Sequence, residues 1–258
     1  MYTFFVYNIH GYIHGHRLHL QREVEMKESQ TQKAYDTLQE MIFTFRLAPG
    51  SRVSDFVLCK TLGMSRTPIR QAMLALASDG LLETDSVHFN VPQLTEKHID
   101  DVYDARICLQ TGLLRLAMEK GISKDDLAQL RTEMEIVSNS ENQGDIRTAL
   151  NHDHGFNYLL ASLGGNPMLL SSFSKLQKQI RVISILGMAK PLLKARECFA
   201  GICDAIEEND TEKACRLMTD YINTARDHKK NVIMGLSSEG LEGMYNVIAS
   251  ITPQNKDL

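Results

Sequence analysis

The residues best suited to chemistry in this chain are Ser65, Arg66, Thr67 and Arg70, in the segment LGMSRTPIRQA. Arginine can bond bidentately to guanine or phosphate, and threonine can reach a phosphate oxygen or a thymine methyl. If a helix begins after Ser65, Arg66, Thr67 and Arg70 fall within about one turn and share a face. Ser65 would then stand where a hydroxyl caps the free N–H groups of a helix start. Ile69, Ala72, Met73 and Leu76 follow at i, i+3, i+4 and i+7, an apolar stripe for the opposite face. A helix that packs by one face and offers arginines near its N-terminus suits entry into the major groove of DNA.

The elements around it can be read in the same way. A first helix is expected over Thr31–Phe45, with Tyr35, Leu38, Met41, Ile42 and Phe45 as its stripe. Leu47-Ala48-Pro49-Gly50 ends it. Ser54 is placed to cap a second helix with Leu58 and Leu62 inward, and Gly63 suits a left-handed C-terminal cap. The helix bearing Arg66 should end near Asp79-Gly80. Residues 81–91 read as a short hairpin, with Leu82, Val87, Phe89 and Val91 as strand residues. Pro92 opens a linker.

From Thr95 to about Asn231 the pattern is helical. Ser123 with Asp125 and Asp126, Gly144-Asp145 and Asp210-Thr211-Glu212 mark helix starts, and Gly164-Gly165-Asn166-Pro167 marks a stop. Ala214, Leu217, Met218, Tyr221, Ile222 and Ala225 form the stripe of the last long helix. The expected fold is mainly α: a winged helix-turn-helix over residues 26–92, then an antiparallel bundle of about six or seven helices over 93–231. Residues 232–258 read as a tail. Residues 1–25 are aromatic and carry His10, His14, His16 and His19, unlike the rest, and read as a disordered extension or one from a mis-assigned start. They lack a secretory pattern, and their loose histidine spacing is a poor metal site.

Composition is that of a globular protein, with 43% hydrophobic and 23% charged residues. No apolar run reaches the roughly 18 residues that span a membrane. Cys59, Cys108, Cys198, Cys203 and Cys215 are odd in number and lack metal spacing, so they read as reduced core thiols. A cytoplasmic protein is expected. The net charge is −4. In residues 31–92, Lys33, Arg46, Arg52, Lys60, Arg66 and Arg70 are matched by Asp36, Glu40, Asp55, Asp79, Glu83 and Asp85. DNA binding would therefore rest on local geometry, with modest phosphate neutralisation. No nucleophile–base arrangement, Gly-rich phosphate loop, HExxH or paired-Cys site is present. No catalytic residue is assigned, and an enzyme is not expected.

The ordered segments LAPGSRVSD, LGMSRTPIRQA, DGLLE, DVYDARICLQTGLLRLA, FNYLLASLGGNPML and CDAIEENDTEKACRLMTDYI resemble the GntR superfamily of bacterial transcription regulators. The FadR-type branch, with a C-terminal FCD effector domain, is the nearer likeness. It covers roughly residues 31–230. The resemblance implies a homodimer on a pseudo-palindromic operator, in most relatives as a repressor. A small effector, often an organic acid, would bind in the helical domain. It places Ser65, Arg66, Thr67 and Arg70 at DNA.

Many FCD domains hold a divalent metal through one Asp and three His. Here the Asp position is Asp153, and the His positions are Asn157, Phe199 and Tyr221. A His-ligated metal is therefore not expected, and no cofactor is assigned. The same positions can serve as a metal-free ligand site, with Arg106 pairing a ligand carboxylate, Asn157 and Tyr221 hydrogen bonding, and Phe199 as a wall. Alternatively Arg106 pairs with a helix carboxylate such as Asp153 in a packed interior. His152 and His154, next to this set, read as solvent-exposed or partner-facing. At the DNA end, Leu74 and Ala75 stand where relatives carry further arginines, and LLETDSVHFNV lacks a basic, Gly-containing tip. Asp85 would oppose phosphate unless it turns away. These departures leave open a second reading, a sensing or interaction protein whose winged helix no longer reads DNA.

Overall fold

The computed structural model describes residues 29–85, 87–186 and 195–236, with 240 and 243. The 1–25 extension and most of the expected tail lie outside them.

Helix α1 runs Gln30–Phe43, and Ser29 Oγ accepts from Gln32 N–H at its start. Its apolar stripe is buried at Ala34, Leu38 and Ile42, with Tyr35 and Met41 packed at the margin. The chain then forms β1 (Arg52–Val53), α2 (Asp55–Leu62), α3 (Arg66–Ser78), β2 (Glu83–Thr84) and β3 (Phe89–Asn90). Ser54 caps α2 through Val57 N–H, and Gly63 closes it at φ 61°, a left-handed turn that only glycine adopts without strain. Ile69, Ala72, Met73 and Leu76 of α3 are all fully buried, as their spacing predicts.

The wing differs from expectation in two ways. It is a three-stranded antiparallel sheet of order β1-β3-β2, pairing Val53 with Phe89 and Thr84 with Phe89. Strand β1 is too short to show a period of two, so it left no pattern to read. Val87, expected in a strand, sits exposed near the tip instead.

Six helices follow among the described residues: α4 (Glu96–Lys120), α5 (Lys124–Asn142), α6 (Ile146–Leu163), α7 (Pro167–Leu186), α8 (Ala195–Glu207) and α9 (Thr211–Met234). Thr95, Ser123, Asp145 and Asp210 cap α4, α5, α6 and α9, each accepting from the N–H of the third residue onward. Such a cap is worth about 0.5–2 kcal/mol. Helix α4 is the axis: it packs against α6, α7 and α9, while α5 covers α6 and α8. Helix α9 continues to Met234, past the boundary expected at residue 231. The cysteines are free thiols, but only Cys203 and Cys215 are buried, and Cys108 is exposed. None of the described helices is long and apolar enough to cross a membrane.

Candidate DNA interface and candidate effector site

The first turn of α3 carries the exposed set Ser65, Arg66, Thr67 and Arg70. Ser65 has the extended backbone of an N-cap, yet its hydroxyl makes no cap hydrogen bond. The other serine and threonine caps bond the third N–H of their helices, and here that residue is Pro68, which has none. The helix start thus keeps unsatisfied N–H groups of the kind that receive a phosphate.

Asp55, at the start of α2, holds both arginines. Arg66 Nε donates to its carboxylate at 2.8 Å, and an Arg70 terminal nitrogen lies at 3.6 Å. The Arg66 hydrogen bond keeps the Asp55 carboxyl below its ordinary range. A fork tethered through Nε still has its terminal nitrogens for bidentate contact. Arg70 also lies over the Phe89 ring at 6.0 Å, so the wing strand supports it from behind. Sequence reading missed Asp55, and its place in the first turn after the Ser54 cap was the available signal.

Asp85 is tied into its own turn. Its carboxylate accepts from the backbone N–H of Val87 at 3.0 Å and His88 at 2.7 Å, and faces His88 Nδ1 at 3.3 Å. Those backbone donors depress its carboxyl to about 2.

Within the bundle, α4, α6, α8 and α9 bring together all five expected ligand residues. Arg106 is 4% exposed, and its Nε donates to Gln110 Oε1 at 3.0 Å. Gln110 passes its amide to Asn157 Oδ1 at 2.5 Å, and Asn157 Nδ2 donates to the Asp153 carbonyl at 2.7 Å. The Tyr221 hydroxyl donates to the Asp153 carboxylate. The Arg106 guanidinium lies over the rings of Tyr221 at 5.3 Å and Tyr103 at 5.8 Å. Phe199 is fully buried, stacked on Phe156 at 4.0 Å and tilted against Tyr221 at 4.9 Å. Burial raises the Asp153 carboxyl, opposed by Arg106, the Tyr221 hydrogen bond and Lys229. The direct Arg106–Asp153 pair weighed as an alternative is not made; Arg106 takes a neutral amide instead.

The two histidines depart from expectation. His152 Nδ1 lies 2.7 Å from Glu133 Oε2 of α5 in a largely buried pair. His154 buries Nε2 with no hydrogen-bond partner. Both follow from α6 being covered by α5 on one side and α7 on another. Burial drives the His154 imidazole well below its usual range, helped by Arg181, Arg106 and Lys229.

Helix α7 joins the two ends. Lys178 Nζ donates to Asp79 Oδ2 at 2.6 Å and to the Tyr35 hydroxyl at 2.8 Å, and Tyr35 itself donates to Asp79 at 2.5 Å. Lys175 reaches Ser78 Oγ at 3.0 Å, and Gln179 Nε2 reaches the Asp79 carbonyl at 3.2 Å. From the same helix Gln177 donates to the His154 carbonyl at 2.8 Å, and Arg181 donates to Asn151 Oδ1 at 3.0 Å while lying over Phe43 of α1 at 5.3 Å. One helix therefore touches both the end of α3 and the wall of the buried cluster.

Comparison with known proteins agrees with this geometry. The profile of the bacterial regulatory proteins of the gntR family matches residues 30–86, and that of the FCD domain matches residues 101–224. A probable D-xylose utilization operon transcriptional repressor of Paenarthrobacter nicotinovorans is 31% identical over 181 residues, covering 69% of this chain and 78% of that protein. The chain belongs to the GntR family. Its GntR relatives are transcriptional regulators and not enzymes. The HTH-type transcriptional regulator YdhC of Bacillus subtilis is 28% identical over 77% of this chain and 90% of its own length. The solved structure of Escherichia coli McbR/YncC shares the fold, with a TM-score of 0.67 at 22% identity over 79% of this chain and 98% of that one.

The metal carried by many FCD domains does not fit the residues present here. Phe199 has no lone pair, Asn157 has both ends of its amide engaged, and the Tyr221 hydroxyl spends its proton on Asp153, which leaves that carboxylate as the one ready ligand of the set. No group of three or more His, Cys, Asp or Glu that could hold a metal occurs among the described residues.

Proposed function

We propose that this GntR-family protein is a ligand-responsive transcription regulator. It binds a pseudo-palindromic operator as a homodimer in the cytoplasm, as a repressor, with a small organic acid as effector. Residues 26–92 form the DNA-binding unit and 93–231 the effector and dimer unit. The observation that carries the reading is the first turn of α3. Arg66, Thr67 and Arg70 stand exposed there while Ile69, Ala72, Met73 and Leu76 are fully buried behind them. What goes beyond an ordinary amphipathic helix is that Asp55 holds both arginines beside a helix start that has no side-chain cap.

Ser65, Arg66, Thr67 and Arg70 are the proposed DNA contacts, with Asp55 positioning the arginines. The buried cluster of Arg106, Asp153, Asn157, Phe199 and Tyr221 is the proposed effector site, with Arg106 as the carboxylate partner. Effector binding would act on DNA through α7, a coupling between two sites by one shared element. Three relatives are named as operon repressors, which supports the direction of regulation proposed here.

The test is the affinity of Arg66→Ala for an operator duplex. Loss of about 1–3 kcal/mol with relaxed sequence preference is expected. Unchanged specific affinity would overturn the assignment.

A further inference from the structure

Helix α3 turns more than its two arginines outward. Thr67, Arg70, Gln71 and Leu74 are all exposed and stand at i, i+3, i+4 and i+7. They therefore form one stripe, about 10 Å long. A stripe of that spacing on a helix laid in the major groove reaches base edges along its length.

The polar members of the stripe are held from within the protein. Arg70 lies 3.6 Å from Asp55 and is backed by the Phe89 ring. Gln71 Oε1 accepts from the Thr31 hydroxyl of α1 at 2.8 Å. One turn past Leu74, Ser78 Oγ accepts from Lys175 of α7 at 3.0 Å, which closes the face. Leu74 stands between these tethered groups with 51% of its surface exposed. A single exposed leucine calls for no explanation on an ordinary surface. Leu74 differs by its place. It follows Arg70 by about one turn on the face that carries the arginines. The buried stripe of α3 is complete without it, at Ile69, Ala72, Met73 and Leu76. The other exposed large apolar side chains among the described residues lie outside α3.

An isobutyl group cannot hydrogen-bond a base edge or a phosphate. In the major groove its apolar target is the C5 methyl of thymine. We propose that Leu74 is a specificity-determining residue that reads a thymine methyl in each half-site, farther along α3 than the contacts of Arg66, Thr67 and Arg70. This rests on the reading of α3 as the DNA-contacting helix, and deepens it by naming a base and the side chain that reads it. The contact discriminates sequence and neutralises no phosphate, in keeping with a winged helix of balanced charge.

The experiment is an anisotropy titration of the full chain with the duplex that wild type enriches from a random pool. Thymines of the half-site are replaced one position at a time, in both half-sites together, by deoxyuridine, which lacks only the C5 methyl. Wild type is compared with Leu74→Ala and Leu74→Asn, whose thermal melting is checked first. At one thymine position wild type is expected to bind the uridine duplex about fourfold more weakly per half-site, the worth of one buried methyl. Both variants bind the two duplexes equally at that position and keep the wild-type response elsewhere. A uridine penalty that persists in Leu74→Asn would give the methyl contact to another side chain and overturn the proposal. An enriched half-site without a thymine, or one at which uridine never weakens wild type, would also overturn it while leaving the DNA-binding reading intact. A folded chain that enriches no sequence would overturn both.

Discussion

At the scale of single residues, the informative positions are those where the default partner is missing. Pro68 removes the third N–H of α3 and Ser65 makes no cap hydrogen bond, so the start of α3 has no side-chain cap. Asp55 replaces it as organiser, by holding Arg66 at 2.8 Å. Asp55→Asn should therefore narrow the affinity gap between operator and random duplex, while total affinity holds or rises because one negative charge is gone. Competition binding with the two duplexes checks this. Asp85→Ala should speed amide exchange at Val87 and His88, since its carboxylate is what those N–H groups donate to. Because its folded pKa is depressed to about 2 from an ordinary 3.8, this contribution is complete above the ordinary value. It is lost as pH falls through about 2. Phe199→Ala should cost about 3–5 kcal/mol, read by denaturant unfolding, because it empties a stacked, fully buried ring site.

At the scale of elements, α7 is the part we propose carries a binding event from the bundle to the DNA-binding end. Its Lys178 closes a three-way contact with Asp79 and Tyr35, just past the end of α3, and its Gln177 holds the α6 backbone at His154. Lys178→Ala should cost about 1.5–3 kcal/mol in stability, the range for losing a hydrogen bond to a charged group. It should also weaken the effect of effector on DNA affinity without touching either site. Binding titrations with and without effector would show the change in coupling. Gly80 marks the same seam, with φ 74° and the Gln179 amide 2.3 Å from where a Cβ would stand. The apolar stripes, the serine and aspartate caps and Gly63 made most helices legible from the chain alone, because each is a local signal of fixed period or offset. Strand β1 was not legible, since two residues show no alternation. Lys229 was not legible either: a lysine on an amphipathic helix defaults to the surface, and only the packing of α9 against α4 buries it. Contacts such as Asp79–Lys178 join residues far apart in the chain, so no spacing rule announces them.

At the scale of the whole molecule, charge and architecture argue together. A net charge of −4, with a balanced winged helix, gives little non-specific pull toward DNA. Affinity must come from a few well-placed contacts, doubled in the proposed dimer. The predicted consequence is a shallow dependence of binding on salt for each subunit. The measurement that tests the central claim most directly is selection of bound sequences from a random duplex pool by the full chain, alongside its mass in solution. Enrichment of one short inverted repeat by a folded dimer is the predicted result. A folded protein that enriches no sequence would contradict the account, and would make the winged helix a docking module that no longer reads DNA.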